Sequence, residues 1–145
     1  MQNTTAALGA GQARWVKNVR ISGMACAVPE TVHEVLDLAD RFGIDTIKKI
    51  IASTGVERRR VVADGCASDL CAAAAQRLFG DLNVDPGSVD ALIFVSQTHD
   101  YTLPATACVL QERLGLPVSA AAFDVALGCS GYVYGLWLAA SLLSS

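Results

Sequence analysis

The sequence predicts an α/β fold with a mostly parallel sheet and covering helices, on three observations. From Val89 onward the chain alternates in the order strand, helix, strand, helix. The two strand-like stretches, VDALIFVS and AAAFDVA, are near-continuous apolar runs rather than clean alternations, as befits strands covered on both faces. The connections suit crossovers between parallel neighbours. With 145 residues, 52% of them hydrophobic, the chain has enough apolar surface for a core, and one domain or part of a larger one is expected.

Taken in order, MQNTTAALGAGQ has no basic segment followed by an apolar core, so residues 1–15 read as a loose tail rather than a signal peptide, and residues 16–145 as the domain. Val16 to Ala27 mixes alternation with β-branched residues before Pro29 and reads as a strand. HEVLDLADRFG reads as a helix stopping at Gly43. Asp45 is placed to cap a second helix, with Ile47, Ile50 and Ile51 on one face and Gly55 at its end. VERRRVV is a short strand or extended segment.

Ser68 and Asp69 precede a third helix, where Leu70, Ala74 and Leu78 repeat at helical spacing and alanines favour the conformation intrinsically. DPGS is a turn before the VDALIFVS strand. Pro104 occupies a plausible first helical position, Ala107, Leu110 and Leu114 form one face, and Gly115 with Pro117 ends that helix. The AAAFDVA strand leads into LGCSG, and SGYVYGLWLAASLL is helical by composition.

A net charge of −3 and the lack of a basic stripe interleaved with aromatics argue against a nucleic-acid partner, and Arg58 to Arg60 read as an exposed strand or loop. Five scattered cysteines, Cys26, Cys66, Cys71, Cys108 and Cys129, include no CxxC pair, so neither a metal site nor a disulfide framework is expected; a reducing cytoplasm fits best. The uncharged run Val125 to Leu143 approaches the ~20 residues of a membrane span. Its glycines and serines, and a helix starting only near Ser130, argue against a membrane partner.

Cys129 is the residue with chemical promise. It falls in the turn from strand to helix, between Gly128 and Gly131, which are expected to permit unusual backbone angles and close approach of a substrate. Free amides and the positive end of the helix dipole favour a thiolate there. The Cys129 amide is also placed to donate to an oxyanion on an attached acyl group. The other four cysteines read as small buried apolar residues. His99, in SQTHDYTLP, reads as a solvated or hydrogen-bonded loop histidine rather than a catalytic one, and His33 has no better claim.

AFDVALGCSGYVYGL resembles the nucleophile segment of the β-ketoacyl-acyl-carrier-protein synthase III family, within the thiolase-like superfamily. ISGMACAVPE, STGVERRRV and DALIFVSQTHDYTLPATACVLQERLGLP extend the likeness in the family's order, over about Val19 to Leu143. The resemblance implies the incomplete N-terminal half of a thiolase-like fold. It also implies an acyltransferase in which Cys129 accepts an acyl group from a thioester, before attack by the carbanion of a decarboxylating malonyl-acyl-carrier protein. It implies acyl-CoA and acyl-carrier protein as substrates, no cofactor, and a homodimer in which Leu103 lines the partner's acyl pocket.

In the family a tryptophan six residues before the TG glycine and an arginine two before it hold the CoA adenine. Counting back from Gly55, this chain has Lys49 and Ser53 instead. Lys49 remains as a point charge for a CoA phosphate, so weaker CoA recognition and a carrier-bound donor are expected. The family's catalytic histidine and asparagine come later in its order than the cysteine helix. The 145 residues alone are therefore expected not to turn over, and to leave that helix with an uncovered apolar face and the sheet with an open edge. The alternatives are a non-catalytic assembly or binding subunit on the same fold, or a related polyketide-starter condensing enzyme.

Overall fold

The computed structural model describes residues 16–144; the expected tail, residues 1–15, lies outside them. The chain forms β1 (Val32–Glu34), a 3-10 turn (Val35–Leu38), α1 (Ala39–Phe42), α2 (Ile44–Thr54) and β2 (Arg58–Arg60). It continues with α3 (Ala67–Leu82), a second 3-10 turn (Pro86–Ser88), β3 (Ala91–Val95), α4 (Thr106–Arg113), β4 (Ala121–Val125) and α5 (Gly131–Leu143).

The predicted crossover is present. β3 and β4 pair in parallel, from Ala91 opposite Ala121 to Val95 opposite Val125, with α4 as the connecting helix. Ala107, Leu110 and Leu114 are buried, as their spacing predicts, and join Ala72, Phe94 and Leu116 in one core cluster. Leu110 is 1% exposed, a burial that contributes about 1.5–3 kcal/mol. Gly115, at φ 67°, lets the chain leave α4 by the left-handed conformation that glycine adopts without steric cost. The Gln111 side-chain amide then donates to the carbonyls of Pro117 and Ala120, both at 2.8 Å, and fixes the path into β4.

The N-terminal region departs from several expectations. Val16 to Ala27 forms no ladder with another strand among the described residues. Gly23, Ala25 and Ala27 are nevertheless partly buried while Met24, Cys26 and Val28 are exposed, so the period of two survives. Gly23 lies so close to Leu78 and Leu82 of α3 that a side chain there would collide with Leu82. HEVLDLADRFG is not one helix: His33 and Glu34 belong to β1, which pairs antiparallel with β2, His33 opposite Arg59 and Glu34 opposite Arg58. Gly43, at φ 84°, separates α1 from α2 and takes the N-cap position expected of Asp45, which lies in the first turn instead. Ile47 is buried, Ile50 is 43% exposed, and Gly55 closes α2 at φ 70° as predicted.

α3 starts at Ala67, before Ser68 and Asp69, because the Asp69 carboxylate reaches back to accept the Cys66 amide at 2.8 Å. Its buried face is Ser68 and Ala72, continued by Ala75 and Phe79 against the core, rather than Leu70, Ala74 and Leu78. Arg113, at the end of α4, donates to the other Asp69 oxygen at 2.5 Å and ties the two helices together. Among the described residues no helix is long and apolar enough to cross a membrane. α5 packs against β3 and leaves Tyr132, Val133, Tyr134, Trp137 and Leu143 exposed, the uncovered apolar face expected of it.

Candidate active site

The parallel pairing brings the carboxyl ends of β3 and β4 to one edge, where ligands of open α/β sheets bind. The Ser96 amide extends the ladder by donating to the Val125 carbonyl at 3.2 Å. Beyond β4 the chain turns tightly. Leu127 N–H donates to Val125 O at 3.0 Å, Gly131 N–H to Gly128 O at 2.8 Å, and Tyr134 N–H to Ser130 O at 3.1 Å opens the ladder of α5. Cys129 sits within this turn, two residues before α5, with an exposed side chain and an amide that makes no hydrogen bond within the described residues. Cys129 thus lies beside the positive end of a 13-residue helix.

The flanking glycines serve packing rather than backbone angles. Neither Gly128 nor Gly131 has a positive φ, contrary to expectation. A side chain at Gly131 would place its Cβ 2.7 Å from Val95 Cγ1, and one at Gly135 would stand 2.9 Å from Val95 Cγ2. A Cβ at Gly128 would run into the Gln97 carboxamide. The smooth face of α5 therefore lies directly on β3, which sets where the helix N-terminus and Cys129 come to rest.

Behind the turn lies a polar cluster that sequence reasoning missed. Asp124 of β4 accepts the Thr106 amide at 2.7 Å and the Ala107 amide at 2.8 Å, so both carboxylate oxygens cap α4 from a neighbouring element. This replaces the helix start expected at Pro104: Ala105 is the N-cap and Pro104 lies outside the helix. Thr106 Oγ1 accepts the Asp100 amide at 3.2 Å, and Ser68 donates to the Asp100 carboxylate. His99 is not solvated. Its side chain is 19% exposed, its ring meets Phe94 edge-on at 5.7 Å, and its Nε2, 3.9 Å from Asp124, makes no hydrogen bond. The one available clue was an acid inside an apolar strand, since a buried carboxylate needs partners.

The other predicted site residues lie apart from the turn. Leu103 is 85% exposed in the loop before α4, and Lys49 lies on the exposed side of α2, which packs on α1 and the first 3-10 turn. The place of Ser53 beside it is structural, its hydroxyl donating to Ile50 O at 3.0 Å. Cys26, Cys66, Cys71 and Cys108 are exposed rather than buried, although the Cys108 sulfur still lies 3.8 Å from the Ala122 carbonyl of β4. Burial around the Cys71 sulfur, reinforced by the Asp100 carboxylate, pushes its thiol above the ordinary range. No group of metal-ligating side chains occurs among the described residues.

No family model matches the chain. It is 38% identical over 130 residues to a Campylobacter jejuni protein provisionally named 3-oxoacyl-[acyl-carrier-protein] synthase 3, an alignment covering 87% of this chain and 37% of the relative. A crystal structure of 3-oxoacyl-(acyl-carrier protein) synthase from Burkholderia xenovorans superposes with a TM-score of 0.82 at 44% identity, over 86% of this chain and 36% of the other. A variant of OleA from Xanthomonas campestris gives 0.77 at 29% identity, over 89% and 42%. The chain spans about two fifths of the length of the relatives it matches.

Proposed function

We propose, on the premise that this chain is a thiolase-fold relative of the 3-oxoacyl-[acyl-carrier-protein] synthase III family matching its N-terminal part, that Cys129 is the acyl-accepting nucleophile of a condensing acyltransferase. The Cys129 sulfur attacks the carbonyl carbon of an acyl thioester. Its bond to that carbon forms, the bond to the donor's sulfur breaks, and the proton lost by Cys129 ends on the departing thiol. In the second half of the reaction a malonyl-carrier thioester loses CO₂, and its carbanion attacks the acyl-cysteine and releases the Cys129 thiolate. A sulfur nucleophile suits both halves, since it attacks thioesters readily and also leaves well.

The single observation that carries this reading is the position of Cys129: exposed, with an amide unbonded among the described residues, at the N-terminus of α5 and at the carboxyl edge of the parallel strands. As the carbonyl oxygen gains charge, the Cys129 N–H and the helix terminus stabilise it without reorganising. Acyl-CoA and acyl-carrier protein are the donors in view, with Lys49 meeting a CoA phosphate as a point charge. Leu103, so largely exposed, is assigned to the acyl pocket of a partner subunit in a homodimer. A reducing cytoplasm suits five unpaired cysteines.

The test is to add acyl-CoA or acyl-carrier protein to the protein and follow release of the donor thiol. About one thiol per chain is expected from the wild type and none from Cys129→Ala, the stoichiometry of a single acyl-enzyme. Equal release from both would refute the assignment. Substituting Leu103 by a larger and by a smaller apolar residue should shift acyl-chain preference by about 1–3 kcal/mol per methylene. An unchanged profile in both would reject its role.

A further inference from the structure

Gln97 lies with its side chain against the nucleophile turn at Gly128. It follows β3 at the apex of a small turn in which Ser96 Oγ accepts the Thr98 amide at 3.0 Å and lies 3.4 Å from Thr98 Oγ1. That turn holds the Gln97 backbone beside the end of β4. The carboxamide lies against Gly128, such that a Cβ there would stand 2.6 Å from Gln97 Cδ and 3.0 Å from its Oε1. Gln97 is exposed and its carboxamide forms no hydrogen bond with the described residues, so contact with Gly128 is what relates it to the turn. On the other side, Gly131 lies against Val95. The Cys129 turn is thus held between two side chains projecting from β3 and the loop after it.

We infer that Gln97 is a positioning residue for Cys129: its carboxamide, seated on Gly128, fixes the turn that aims the thiol and the free Cys129 amide at one acyl carbonyl. The inference rests on the acyl-accepting role of Cys129 for its purpose, but not for its geometry. A side chain at Gly128 would have to displace the carboxamide, the far end of the exposed Gln97 side chain. The two residues form a coupled pair, and a change in one is compensated by removing the bulk of the other. A displacement of the turn of the order of an ångström separates the thiol from its oxyanion donor, enough to slow acylation without weakening donor binding.

The experiment measures single-turnover acylation of Cys129 against donor concentration, and separately the rate of Cys129 alkylation by iodoacetamide, in folded protein checked by thermal melting. Gln97→Ala is expected to lower the maximal acylation rate about tenfold with the half-saturating donor concentration unchanged. Gln97→Met, of similar shape, restores most of it. Gly128→Ala is expected to slow both reactions, and the double substitution with Gln97→Ala to react faster than Gly128→Ala alone. Additive effects in the pair, or a Gln97→Ala protein with wild-type rates, would overturn the inference. Should Gly128→Ala fail to fold, the Ala and Met variants of Gln97 decide it. If the alkylation pattern holds but no thioester acylates the wild type, the positioning stands and the acyltransferase reading falls.

Discussion

The Asp124 carboxylate accepts the Thr106 amide at 2.7 Å, joining the strand that ends at the nucleophile turn to the first residue of α4. The second oxygen takes the Ala107 amide at 2.8 Å, and the side chain is 16% exposed. Charge-assisted bonds in such surroundings stabilise more than neutral ones. Asp124→Ala leaves two amides unpaired beside the core and should cost about 3 kcal/mol of unfolding free energy, read by denaturant titration. Asp124→Asn keeps a single acceptor and should cost roughly half as much. A loss below the error of the titration for Asp124→Ala would remove the carboxylate from this role.

α5 should be intolerant of side chains on the face that meets β3. Gly135→Ala sets a methyl 2.9 Å from Val95 Cγ2, and overpacking of this kind costs about 1–3 kcal/mol. Val95→Ala, combined with it, should recover part of that loss. A Gly135→Ala protein as stable as the wild type would show that the helix can lift from the strand.

Acid should loosen the start of α3. The Cys66 amide and then the Arg113 guanidinium hold the Asp69 carboxyl below its ordinary value of 3.8. The unfolded chain therefore binds more protons than the folded one between those two values. The resulting stabilisation is complete above 3.8 and disappears as pH falls through the folded value. Asp69→Asn should flatten that part of the stability profile, measured by thermal melts at descending pH. An unchanged acid limb would contradict the pairing.

The crossover was legible because its residues answer to local rules: near-continuous strands, the Ala107, Leu110 and Leu114 face, and Gly115 at the end of α4. The turn around Cys129 was legible for the same reason. β1 was not, since HEVLDLADRFG satisfies helical spacing and its pairing with Arg58–Arg60 is a non-local choice. The capping role of Asp124 was not legible either, because the amides it accepts come from another element. The backbone angle expected at Gly128 was misjudged, because glycine signals conformational freedom and close approach alike.

The five thiols should differ sharply in rate. All are exposed, but burial and the Asp100 carboxylate disfavour the thiolate of Cys71. With limiting iodoacetamide at neutral pH, Cys129 should be labelled first and Cys71 among the last. Asp100→Asn should accelerate Cys71 if its charge contributes, and an unaltered rate would leave burial as the sole cause.

The central claim is that Cys129 carries the acyl group, and peptide mass mapping after a brief exposure to an acyl thioester tests it most directly. The account predicts one acyl mass increment on the peptide containing Cys129, discharged by hydroxylamine as a thioester is, with Cys26, Cys66, Cys71 and Cys108 unmodified. Acyl groups spread over the exposed cysteines in proportion to their number, or confined to one other than Cys129, would contradict it.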